Sequence, residues 1–169
     1  MCIMKITFQN DIFNSCQILA FLDNVLDNKE TLQIQFLSHD DPNRLANADN
    51  SPMACNPSST WGGRYHIVYN KEVINSLDLT ILEVNAIIAH EIGHIIRGFL
   101  LSDSPEETIN NEIECDKYAI KAGIGFHLAS ALSKLSSRID VLGLDRRISA
   151  IARHIDFYRP EWTSGKYNK

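Results

Sequence analysis

The stretch that most constrains this chain is NAIIAHEIGHIIRGFL, residues 85–100. Its isoleucines recur at helical spacing and call for burial, yet two histidines and a glutamate stand among them. Ionisable groups are costly to bury unless each finds a strong partner. On a wheel of about 100° per residue, Ile81, Val84, Ile88, Ile92, Ile95 and Phe99 form a broad apolar face that predicts core packing. Ala86, Ala89 and Gly93 form a small-residue stripe that lets a neighbouring element approach closely. Glu83, His90, His94 and Arg97 share a third stripe, with Glu91 beside it. The polar groups are therefore gathered on one side.

His90 and His94 are one helical turn apart, the spacing at which two imidazole nitrogens reach one zinc ion at roughly 2.0–2.1 Å. Glu91 is rotated away from both, placed to touch a water at the metal and not the metal itself. H-E-x-x-H on a helix is the zinc-hydrolase signature with that logic. The sequence thus predicts a zinc ion as the partner, with His90 and His94 as ligands and Glu91 as the general base. The plainer reading of each histidine is a hydrogen-bonded core residue, and the gathering of polar groups argues against it.

A catalytic zinc takes three protein ligands and keeps one position open. A metzincin continuation would put Gly at position 97 and His at 100, where this chain has Arg97 and Leu100. The next helix offers NNEIECDKYAI instead. There Glu112 and Asp116 lie with Ile109, Ile113, Cys115, Ala119 and Ile120, while Glu114 turns the other way with Lys117 and Lys121. An inward carboxylate needs a cation. Glu112 is therefore expected as the third ligand and Asp116 as the hydrogen-bond partner of a ligand histidine. The plain alternative for Glu112 is a buried ion pair with Arg97.

These residues carry a resemblance. HEIGH followed by Glu112-x-x-x-Asp116 resembles the gluzincin metallopeptidases, and AHEIGHII with EIECDKYA is similar to HtpX-type peptidases and ImmA/IrrE-like domains. Cys115 stands where those families commonly have Ala. The segment STWGGRYHIVYN resembles the strand above the HtpX active-site cleft, so the likeness covers about residues 61–121. It implies a zincin-like fold and a zinc-dependent metallopeptidase acting on peptide or protein substrates. ImmA/IrrE-like proteins act in regulation, which implies as alternative a zinc-containing sensor or binding module with little turnover. Arg147 sits where HtpX-type enzymes tend to have a basic residue followed by Ile and is the leading oxyanion-donor candidate, with a salt bridge or core packing as its plainer reading. His154, His127, Tyr118 and Arg64 are weaker candidates, and His66 and His39 read as ordinary strand and loop histidines. Residues 65–69, if an edge strand, would bind an extended peptide by strand addition.

The remaining pattern predicts a single α+β domain over residues 1–169, with a small, mostly antiparallel sheet in the N-terminal part and a helical C-terminal part. Helix is expected over 12–26, strand over 31–37 and 64–70, a short helix over 71–77, and a long loop over 38–63. Helices follow over 79–101, from a Ser104 cap with Pro105 and a Glu107 capping box to Gly123, over 125–139 and over 145–158; 159–169 reads as a loose tail. A net charge of −5 gives no footprint for nucleic acid, and no apolar run is long enough to span a bilayer. Four scattered cysteines without a C-x-x-C pair look like reduced thiols, and the polar turn at residues 9–11 comes too early for a signal peptide. The expected location is the cytoplasm.

Overall fold

A computed structural model describes residues 6–19, 22, 31–98 and 102–155. The chain is α+β: a four-stranded sheet from the N-terminal part, then helices. Strands β1 (Ile6–Gln9), β2 (Leu32–Ser38), β3 (Met53–Cys55) and β4 (Tyr65–Tyr69) lie in the order β1-β2-β4-β3. The sheet is mixed and not mostly antiparallel: β1 with β2 and β2 with β4 are parallel, and only β3 with β4 is antiparallel. Each parallel pair is joined by a crossover: α1 (Ser15–Leu19) lies between β1 and β2, and the connection from β2 to β4 carries β3, which pairs on the far side of β4.

β4 carries Ile67 and Val68 fully buried on opposite faces, as a strand covered on both sides should. It is an inner strand, so the expected edge at residues 65–69 is taken by β3 instead. β3 lies inside the stretch read as a loop; three residues are too few for an alternating pattern to register. Within β2, Ile34 and Phe36 enter the core as the alternation predicts.

The helices are α2 (Lys71–Ser76), α3 (Ile81–Arg97), α4 (Pro105–Lys121), α5 (Gly125–Leu135) and α6 (Leu144–Ile155). α3 packs on β3 and β4 on one side and on α4 and α5 on the other. It is therefore buried nearly all round, and Ile88, Ile92 and Ala89 have no exposed surface. Ile81, assigned to the apolar face, is half-exposed at the helix start. α3 stops at Arg97, short of the expected 101, because Gly98 adopts φ 61° and caps the helix in the left-handed region. Phe99 and the residues to 101 lie outside the described residues, as do most of 20–30 and everything after 155.

Two caps differ from expectation. Ser104 caps α4 through the Glu107 amide, but the Glu107 carboxylate accepts from the Ser102 hydroxyl, not from the cap's own N–H. The complete capping box is on α3, between Thr80 and Glu83. α5 ends at Leu135, four residues before its expected end. Among the described residues no helix is long and apolar enough to cross a membrane.

Candidate metal centre

α3 and α4 meet at a close crossing. A Cβ on Gly93 would lie 2.9 Å from the Cys115 Cα and 2.8 Å from the Tyr118 ring, so the small-residue stripe is needed there. That approach brings the polar stripe of α3 against Glu112 and Asp116 of α4. The Nε2 atoms of His90 and His94 are 3.0 Å apart. Glu112 presents Oε2 at 3.4 Å from the first and Oε1 at 3.5 Å from the second.

These separations test whether a metal fits. An ion with tetrahedral ligands at roughly 2.0–2.1 Å spaces its donors about 3.3 Å apart. The two imidazole nitrogens are slightly closer than that, and a different Glu112 oxygen faces each ring at about that distance. With one atom taken from each residue the three donors lie within 4.8 Å of one another, and two imidazoles with one carboxylate are a set that zinc accepts. His90, His94 and Glu112 could thus hold a metal ion together.

The surrounding groups orient these donors. Asp116, 1% exposed, sits 2.8 Å from His90 Nδ1, which favours a proton on Nδ1 and turns Nε2 toward the cluster. Behind His94, the Cys115 sulfur lies 3.3 Å from Nδ1. Arg147 of α6 reaches both carboxylates: Nε and Nη2 donate to Asp116 at 2.8 and 2.6 Å, and Nη1 lies 2.9 Å from Glu112 Oε2. Every nitrogen of this guanidinium therefore has a carboxylate within reach. Glu112 takes Arg147 as its cation and not Arg97, which stands 3.9 Å from Glu114. Glu114 is half-exposed and pairs with Lys117, as expected of a solvated face.

Burial opposes charge on every member of this group, and the mutual pairing decides the outcome. Burial would lower His90, but hydrogen bonds to Asp116 and Glu112 outweigh it and raise the pKa to about 10. Burial would raise Glu112, and His90, Arg147 and His94 instead hold it down at about 2. Asp116 follows the same pattern, with Arg147 and His90 overriding burial. His94 is pushed down by burial and by the charge on His90. Burial and nearby carboxylates push the Cys115 and Cys55 thiols well up, so both stay protonated.

The cluster opens into a cleft of about 880 Å³, lined by His90, Glu91, His94, Glu112 and Arg147 on one side and by residues 51–58 on the other. Ile87, Leu128, Leu132, Leu135 and Val141 give it an apolar wall. Cys55 approaches the Glu91 backbone carbonyl at 3.5 Å, which pins β3 to the centre of α3. His154, His127, Tyr118 and Arg64 do not line the cleft. His66 is a buried strand residue with its ring tilted against Trp61, and His39 pairs with Asp40 in the loop. Glu83, on the same wheel stripe as the histidines, serves the start of α3: it accepts from the Thr80 amide, Ser130 and Lys134. Neither the part of Cys55, whose three-residue strand carries no periodic signal, nor the Cys115–His94 contact is legible in the sequence.

Comparison with known proteins gave no match to a family model, a curated protein or a solved structure.

Proposed function

We propose that this chain is a zinc-dependent metallopeptidase of gluzincin type, with His90, His94 and Glu112 as ligands and Glu91 as general base. The observation that carries the reading is the convergence of two imidazole nitrogens and the Glu112 carboxylate within 4.8 Å of one another, in a cleft that Glu91 also lines. Zinc, when bound, supplies a Lewis acid for the scissile carbonyl and lowers the pKa of water. Glu91 takes the proton of the attacking water and passes it to the leaving amine. Asp116 holds His90 in register, and Arg147 pairs with Asp116 and Glu112 at the edge of the same cleft.

β3 supports a peptide substrate. It ends the sheet order, and among the described residues no strand lies beyond it. An extended peptide added along it would run through the cleft, with backbone hydrogen bonds supplying affinity. The wall of Leu128, Leu132, Leu135 and Val141 suits a bulky apolar side chain beside the scissile bond.

The test is metal content of protein purified without chelators, together with casein cleavage by the wild type and Glu91→Gln. The reading expects one zinc per chain in both and cleavage by the wild type alone. Cleavage that persists in Glu91→Gln overturns it. Zinc in both proteins with no cleavage by either moves the assignment to a zinc-containing sensor module.

A further inference from the structure

The two imidazoles aim Nε2 at one point but are backed by different chemistry. His90 Nδ1 faces the Asp116 carboxylate at 2.8 Å, whereas His94 Nδ1 faces the Cys115 sulfur at 3.3 Å. Cys115 has no exposed surface, and its place is set by the same crossing that excludes a side chain at Gly93. The sulfur is therefore lodged behind the ring by the backbones of both helices.

The contact admits two arrangements of protons. If the thiol donated to a bare Nδ1, the His94 proton would sit on Nε2 and point into the cluster of His90 and Glu112. If Nδ1–H donates to sulfur, Nε2 is bare and turned toward the other donors. Only the second leaves His94 able to ligate a metal. A neutral partner also suits the local charge, because Glu112 and Asp116 already share the guanidinium of Arg147.

We propose that Cys115 is a positioning residue: its sulfur accepts the Nδ1–H of His94 and fixes the tautomer whose bare Nε2 faces His90 and Glu112. This rests on the metal-site reading for its purpose, but the tautomer is a property of the protein alone.

The experiment has two arms on the full chain. In the first, metal-free protein with ¹⁵N-labelled histidine is examined by long-range proton–nitrogen correlation. His94 is expected to carry its proton on Nδ1; a proton on Nε2 overturns the proposal whether or not zinc binds. The second arm compares Cys115→Ser and Cys115→Ala, both small enough for the crossing and differing in the acceptor, by zinc competition against a chelator. The serine variant is expected to hold zinc within about threefold of wild type, and the alanine variant to lose roughly 10–100-fold. Equal affinities in the two variants, with native circular dichroism in both, overturn it. If neither variant folds, the first arm decides. Wild-type protein that binds no zinc while showing the Nδ1–H tautomer sinks the peptidase reading and leaves this one standing.

Discussion

Arg147 and Asp116 form a two-pronged ion pair deep in the protein, with Nε–Oδ2 at 2.8 Å and Nη2–Oδ1 at 2.6 Å. The same guanidinium sends Nη1 to Glu112, so one residue of α6 pairs with both Glu112 and Asp116 of α4. Removing it leaves His90 as the cation facing both carboxylates, and breaking a buried ion pair typically costs about 3–5 kcal/mol. Arg147→Met is expected to lower the stability of metal-free protein by about that much. It also frees Glu112 from a competing cation, so zinc should raise the melting temperature of the variant by more than it raises that of the wild type. Calorimetry with and without zinc checks both statements; an equal zinc shift in the two proteins would remove Arg147 from the site's electrostatics.

His90 makes stability and metal affinity respond to pH in opposite senses. Its folded-state pKa of about 10 stands above the ordinary 6.5. Its contribution to metal-free stability is therefore full below about pH 6.5 and is lost as pH rises through about 10. A ligand imidazole must be neutral at Nε2, so zinc binding expels that proton and its affinity should climb over the same window. Denaturant titrations in chelator and zinc competition at pH 6, 8 and 9.5 would measure the two trends. In His90→Gln the downward slope of metal-free stability should flatten.

Much of the site was legible in the sequence because its parts lie on two regular helices, where spacing alone decides which side chains share a face. His90, His94, Glu112 and Asp116 come together as that geometry requires. Three things were not legible. β3 is set by pairing with β4 and by Cys55 against Glu91, contacts 36 residues apart in the latter case that leave no local pattern. The parallel ladders depend on crossover connections, not on the strands' own alternation. The destination of Arg147 depends on how α6 docks against α4, which helical periodicity does not encode. Glu83 marks the limit of the wheel itself: it shares the histidines' stripe, yet two turns toward the N-terminus it meets Ser130 and Lys134 of α5 instead.

Glu83 accordingly should behave as a structural residue. Burial opposes its charge, but Lys134, Ser130 and Thr80 overcome this and hold its pKa at about 2, below the usual 4.5. Its contribution is present above about pH 4.5 and lost as pH falls through about 2. Glu83→Gln is expected to cost about 1–3 kcal/mol at neutral pH and to soften the acid side of the stability profile. Zinc affinity, measured at a temperature where the variant stays folded, should not change. A loss of zinc affinity beyond threefold would place Glu83 in the metal site after all.

Gly93 offers the sharpest control on the helix crossing. An alanine methyl there would meet the Cys115 backbone at 2.9–3.0 Å and the Tyr118 ring at 2.8 Å, distances that real Cβ atoms avoid. Tyr118 can swing aside, but the Cys115 backbone cannot move without α4. Overpacking of this kind costs typically about 1–3 kcal/mol. Gly93→Ala should therefore destabilise the protein even though alanine is the better helix former by about 1 kcal/mol. Because α4 carries Glu112, the shift should also pull that carboxylate away from the imidazoles and weaken zinc binding. Ala89→Gly, one turn earlier on the same stripe, creates no such clash and should cost the helix-propensity difference plus one buried methyl while leaving the metal affinity intact. Zinc competition on the two variants separates a displaced α4 from a merely weakened α3.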